Sequence, residues 1–151
     1  MKTSKQSIDR FLESRKLAIA GVSRNPKKFG NMVYKELKDR GFEIYPINPN
    51  IDQVNGDKCY HSINALPSDI GYLLVLTPKT QTLNTVREAV GKGIENIWIQ
   101  QHSETKEVMD FLKDKPVKLV TRECIFMWLE PVKSIHKFHR TIRKFFGLLP
   151  K

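Results

Sequence analysis

Short apolar runs alternate along this chain with longer stretches in which apolar residues recur every three or four positions. From Ser7 to Arg15, Ile8, Phe11 and Leu12 fall at i, i+3 and i+4 behind Ser4 or Ser7 as a cap, which predicts a short amphipathic helix. Lys16 to Val22 is a compact apolar run passing through Gly21 and reads as a buried first strand. After a loop from Ser23 to Gly30, Met32, Val33, Leu37 and the closing Gly41 describe a helix. Phe42 to Ile47 then reads as a second strand running into Asn48-Pro49. The rhythm continues with a strand at Tyr72 to Leu76, a helix at Thr80 to Val90 and a strand at Asn96 to Gln100. A helix at Thr105 to Lys113 and a strand at Val117 to Val120 complete it.

Strands alternating with helices of this length imply a parallel sheet covered on both faces. With right-handed crossovers, the expected fold is α/β: a doubly wound, mostly parallel, Rossmann-like sheet with helices on both faces. The expected organisation is a single domain over 1–151, because no internal repeat, low-complexity stretch or Gly/Ser-rich linker divides the chain. Beyond Pro131, Ile135, His139, Ile142 and Phe146 fall on one helical face beside Phe138 and Phe145. This predicts a C-terminal basic amphipathic helix over 131–147, stopped by Gly147.

Composition narrows the setting. No apolar stretch approaches the roughly 18 to 20 residues needed to cross a bilayer. The N-terminus has Asp9, Arg10, Glu13 and Arg15 where a signal peptide needs an apolar run, so the chain is expected in the cytoplasm. The formal net charge of +10 is uneven. Residues 131–151 carry Lys133, Lys137, Arg140, Arg143, Lys144 and Lys151 with no acid, leaving twenty basic against sixteen acidic residues before them. A basic helix with an apolar face suits anionic lipid, a nucleic-acid backbone, or docking on the sheet or a second subunit. Docking is the favoured reading, since globular domains bury such stripes and leave the charges solvated. Nucleic acid is disfavoured as a partner, because no helix-turn-helix precedes the domain.

In a parallel α/β sheet, ligands sit beyond the carboxyl ends of the strands, where helix N-termini point free N–H groups outward. Here that address is the loop from Gly21 to Gly30. Gly21 permits close approach of a phosphate, Ser23 offers a hydroxyl, and Arg24, Lys27 and Lys28 supply charge. The alternative is an ordinary strand-to-helix turn with solvated basic residues. The dinucleotide fingerprint GxGxxG is absent, and the second strand ends in Asn48-Pro49 where an NAD site carries an acid for the ribose hydroxyls. A neutral end suits a ligand with an extra ribose phosphate, which both coenzyme A (CoA) and NADP possess.

Taken in order, Gly21-Val22-Ser23 with Pro26, Lys28 and Gly30, then Pro46-Ile47-Asn48-Pro49, Gly56 with Tyr60, Thr77-Pro78, Trp98-Ile99-Gln100 and Arg122-Glu123-Cys124-Ile125 form a family pattern. Over 16–125 the chain resembles the small CoA-binding domain proteins related to the nucleotide-binding half of the succinyl-CoA synthetase α subunit. The resemblance implies that Gly21, Val22, Ser23, Arg24, Lys28 and Gly30 attend the CoA phosphates. It likewise implies that Asn48 and Pro49 border the ribose and adenine, that Thr77 and Pro78 form a wall, and that Gln100 closes the cleft. Relatives often have Gly soon after the glutamine, where this chain has Gln101-His102-Ser103-Glu104, so no contact is carried over there. The acid usual before the third strand is shifted to Asp69 and receives no role.

Cys124 either faces the pantetheine end of bound CoA or is an inert buried thiol, and its neighbours Ile125 and Phe126 favour burial. Cys59, in a loop beside Lys58, is expected to be exposed. His136 and His139 are spaced like ligands, but no cysteine or carboxylate completes a metal site. No Ser-His-Asp set, HExxH motif or Walker loop is present, so the expectation is no catalytic residue and no metal. The leading functional reading is a non-catalytic module for CoA or a short acyl-CoA whose occupancy biases a protein partner or homo-oligomer. The alternatives are the CoA-binding part of a multi-chain acyl-CoA synthetase, or an NAD(P)-binding redox sensor.

Overall fold

The computed structural model describes residues 3–131. The helix expected over 131–147, with His136 and His139, therefore lies outside the described residues apart from Pro131. The elements run α1 (Lys5–Glu13), β1 (Lys16–Ala20), α2 (Phe29–Asp39), β2 (Glu43–Ile47), β3 (Gln53–Val54), β4 (Asp57–Lys58), β5 (Tyr72–Val75), α3 (Lys79–Lys92), β6 (Asn96–Gln100), α4 (Lys106–Leu112) and β7 (Lys118–Glu123). A 3₁₀ turn follows at Ile125–Met127. Five strands make one parallel sheet in the order β2-β1-β5-β6-β7. That order is the flavodoxin-like form of the doubly wound fold, and the winding reverses between β1 and β5.

The predicted periodicities become the two core layers. On one face, Ile8 and Phe11 of α1 and Val33, Tyr34 and Leu37 of α2 pack with Leu17, Ile19, Leu74, Trp98 and Val120 of the sheet. On the other, Val86 and Ala89 of α3 and Val108 and Leu112 of α4 pack with Ala18, Leu73, Val75, Ile97 and Ile99. Alternate residues of each strand thus serve opposite layers, as a sheet buried on both faces requires. The Phe11 ring meets Trp98 and Tyr72 edge to face, with centroids 5.4 and 5.7 Å apart, which fixes α1 over the sheet. Ser4 caps α1 by accepting from the Ser7 amide, and Thr105 caps α4 by accepting from Val108. Thr3 extends the sheet's hydrogen bonding, its hydroxyl donating to the Thr121 carbonyl and accepting from the Thr121 amide.

Three features depart from the sequence reading. Strands β3 and β4 form an antiparallel hairpin, Gln53 pairing with Lys58, about Asn55-Gly56, whose φ angles of 50° and 85° are both positive. Asn-Gly is the preferred pair for such a two-residue turn, so the signal was present in the residues. Met32, placed on the buried stripe of α2, is half exposed. At the far edge, Gln100 of β6 pairs with Glu123, skipping Arg122, which takes a φ of 62°. This bulge kinks the end of β7 and sets Glu123-Cys124 beside Gln100.

Candidate functional site

At the reversal point β1 ends in Gly21, with φ of 111°. A Cβ there would stand 2.6 Å from the Leu76 carbonyl carbon and oxygen at the end of β5. Gly30, in the first turn of α2, lies so close to the Gly21 carbonyl that a Cβ on it would collide with that oxygen. Three elements therefore meet backbone to backbone, and the loop between the glycines presents main chain to the space above. Asn31 pins that loop. Its Oδ1 accepts from the Ser23 amide and its Nδ2 donates to the Ser23 carbonyl, each at 2.8 Å, from a side chain that is 5% exposed.

The electrostatics favour an anion. Lys28 and Pro78 are the N-cap residues of α2 and α3, neither helix has a side-chain cap hydrogen bond, and neither has an acid in its first turn. Two sets of uncapped N–H groups and the positive ends of two helices thus face the same cleft.

The cleft has a volume of about 680 Å³. Of the residues named from sequence, Gly21, Val22, Ser23, Lys28, Gly30, Asn48, Pro49, Thr77 and Pro78 line it. Asn48 spends its side chain internally: Nδ2 donates to the Val22 carbonyl at 2.7 Å and Oδ1 accepts from Asn50 N at 2.8 Å. It ties the end of β2 to the glycine loop. Thr77 is buried, its hydroxyl 3.0 Å from that of Thr82, which holds the start of α3 against the end of β5. Arg24 is exposed outside the lining, its guanidinium donating to the Asn50 carbonyl at 2.8 Å, so it joins the glycine loop to the turn after β2.

Gln100 and Cys124 line an adjoining pocket of about 500 Å³ that shares Phe29, Leu76, Thr77 and Pro78 with the main cleft. The pair are brought together by the bulge in β7, and Gln100 Oε1 accepts from Ile125 N at 3.2 Å.

Residues the sequence reading passed over also line the main cleft: His61, Ser62 and Ile63, and Thr80, Gln81, Asn84, Thr85 and Glu88 on α3. The first group is positioned because Tyr60 runs alongside β2, its amide donating to the Pro46 carbonyl and its carbonyl accepting from Asn48. The second follows from helical spacing, as Thr77-Pro78 leads directly into α3.

One thiol reverses its expected exposure and the other departs from it in part. Cys59 is buried, not exposed, because the hairpin folds it inward with Sγ 4.0 Å from the Asn48 carbonyl. That burial pushes its pKa up, the neighbouring carbonyls partly offsetting the effect. Cys124 is only partly buried, since the pocket opens beside it. Among the described residues no group of three His, Cys, Asp or Glu side chains is arranged to hold a metal, and no helix is long and apolar enough to cross a membrane.

Comparison with known proteins gives the chain a family. Residues 15–130 match the family model described as a CoA binding domain. The chain belongs to this CoA-binding domain family. Within the family, it is 30% identical to the uncharacterized protein YneT of Bacillus subtilis, over 81% of this chain and 91% of that one. It is 27% identical to the alpha subunit of ADP-forming acetate–CoA ligase II from Pyrococcus furiosus, over 78% of this chain but only 28% of that subunit. A solved structure of a conserved hypothetical protein from Pyrococcus furiosus is 39% identical, superimposes with a TM-score of 0.71, and is covered over 96% of its length by 74% of this chain. This chain thus aligns both with a protein of about its own size and with part of a larger ligase subunit.

Proposed function

We propose that the domain holds CoA or a short acyl-CoA in the cleft between β1 and β5 and performs no chemistry alone, its occupancy biasing a protein partner or a second copy. The observation that carries this reading is the convergence of two uncapped helix N-termini on a glycine-floored cleft at the sheet's reversal point. Such a floor lets a diphosphate reach main-chain amides, and Lys28 at the rim adds a cation. The absence of a carboxylate at the end of β2, where Asn48 is engaged with Val22 and Asn50, disfavours NAD. The family match supports CoA over NADP.

A second reading has its own observation. The Pyrococcus ligase subunit aligns with most of this chain, which supports a role as the CoA-binding part of an acyl-CoA synthetase whose remaining machinery lies on other chains. Among the described residues no cluster of metal ligands supplies that chemistry.

Thermal unfolding with CoA, acetyl-CoA, NAD and NADP at matched concentrations tests the ligand. A ligand at 100 times its dissociation constant stabilises the fold by about 2.7 kcal/mol. The expected result is a rise in Tm with CoA species, lost in the double variant Arg24→Ala, Lys28→Ala. A rise with NAD alone, or with no nucleotide, would overturn the reading. Turnover by the isolated chain with CoA, a carboxylic acid and a nucleoside triphosphate would overturn the non-catalytic part.

A further inference from the structure

The pocket over β6 and β7 holds more chemistry than closing a cleft requires. Gln100 is 6% exposed; its Oε1 is taken by Ile125 N, while its amide nitrogen makes no hydrogen bond to any described residue. Ser103 is 8% exposed, and its hydroxyl is likewise without a partner there. Both residues line the pocket, and neither group is sealed from it. Both donors stand open to the pocket, where a bound molecule's acceptors can meet them. Beside them stands Cys124, partly exposed, and Phe29 and Pro78 supply apolar walls.

This set matches the pantetheine arm of CoA: amide carbonyls that accept hydrogen bonds, short alkyl links, and a terminal thiol. The pocket joins the phosphate cleft across Thr77-Pro78, so an arm leaving the diphosphate over that wall enters it directly. We propose, resting on the CoA reading above, that this pocket receives the thiol end of CoA and that Cys124 is a site of reversible modification by it. The Cys124 thiolate attacks one sulfur of CoA disulfide, the symmetrical oxidised dimer of CoA. The Cys124–S–S–CoA bond forms as the CoA–CoA bond breaks, and the second CoA leaves as its thiolate. Oxidation of Cys124 is balanced by reduction of the departing CoA, and the proton of the Cys124 thiol passes to solvent. Cys59, buried by the hairpin with its pKa raised, is not positioned to compete.

The test uses the whole chain, reduced and desalted, incubated with CoA disulfide or glutathione disulfide at equal concentration and followed by intact mass and peptide mapping. The expected product carries one CoA, on Cys124, released by dithiothreitol. It forms about tenfold or more faster with CoA disulfide than with glutathione disulfide, because binding raises the local concentration of the reacting disulfide. Cys59→Ser keeps the adduct; Cys124→Ser, shown to be folded by its unfolding transition, loses it. Equal rates with both disulfides, or an adduct on Cys59, would overturn the proposal. Thermal unfolding with reduced CoA separates the two layers. A shift with reduced CoA but no labelling of Cys124 sinks this inference alone, whereas no shift with reduced CoA sinks the binding reading beneath it.

Discussion

Gly30 rests on the carbonyl of Gly21, nine residues earlier, with no room between them for a single methyl group. This contact sets the distance between the start of α2 and the end of β1, and so the width of the cleft floor. Gly30→Ala must push α2 away from the sheet. Overpacking of this kind costs typically 1–3 kcal/mol, and here the obstacle is backbone that cannot rotate aside. The expected outcome is a Tm drop in that range together with loss of the CoA-induced shift, both read by thermal unfolding.

Asn31 holds the glycine loop by two hydrogen bonds to Ser23. Asn31→Ala leaves the Ser23 amide and carbonyl unpaired at the base of the loop, for a cost of about 1–3 kcal/mol. Asn31→Asp keeps the acceptor for the amide but loses the donor and places a carboxylate beneath the proposed phosphate site. Calorimetric titration with CoA is expected to show weaker binding for the aspartate than for the alanine variant. The reverse order would place the phosphates elsewhere.

The sheet and the helices among the described residues were legible because the inner strands β1, β5 and β6 are buried on both faces and read as short apolar runs. Tyr72 to Val75 and Asn96 to Gln100 needed no tertiary context to be found. The glycine loop was legible for the same reason: its place after the first strand is fixed by topology. The hairpin was missed although Asn55-Gly56 announces it, since two-residue strands carry no periodicity. Asn31 was hidden as one polar residue beside an apolar stripe, its partner Ser23 eight positions away across a turn. The exposure of the cysteines depended on a hairpin and a β-bulge, both of which reverse local directions that sequence spacing assumes.

At the opposite end of the sheet, Lys16 and Asp69 form an exposed pair at 2.6 Å. Hydrogen bonding to Asp69 pushes Lys16 from 10.5 to about 12, and the same bond lowers Asp69 from 3.8. The lowered carboxylate stabilises the fold above pH 3.8, and its contribution is lost as pH falls through the depressed value. The raised ammonium contributes fully below pH 10.5 and loses its contribution as pH rises through about 12. Asp69→Asn is therefore expected to lower Tm slightly between about pH 4 and 10, with the difference vanishing in acid; solvent screening keeps it small. Melting curves of both proteins across that range provide the check.

Cys59 is 4% exposed with its thiol held protonated by burial. In a Cys124→Ser background, native protein at pH 8 is expected to resist iodoacetamide, while the unfolded chain in denaturant alkylates Cys59 at the rate of a free thiol. Time-resolved intact mass distinguishes the two, and fast native labelling would mean that the segment around β4 opens readily.

The floor of the cleft is carried by strands whose main-chain ladders run on both sides of β1 and β5, so it cannot be widened without breaking the sheet. The wall beyond Thr77-Pro78 has no such constraint. It consists of the turn from Gln101 to Ser103, the half-exposed Phe29 ring and the bulged end of β7. Redesign of the proposed thiol pocket would begin at Gln101, Ser103 and Cys124, which do not line the main cleft, and leave the strand-borne floor untouched. The fold therefore divides into a fixed handle and an adjustable grip.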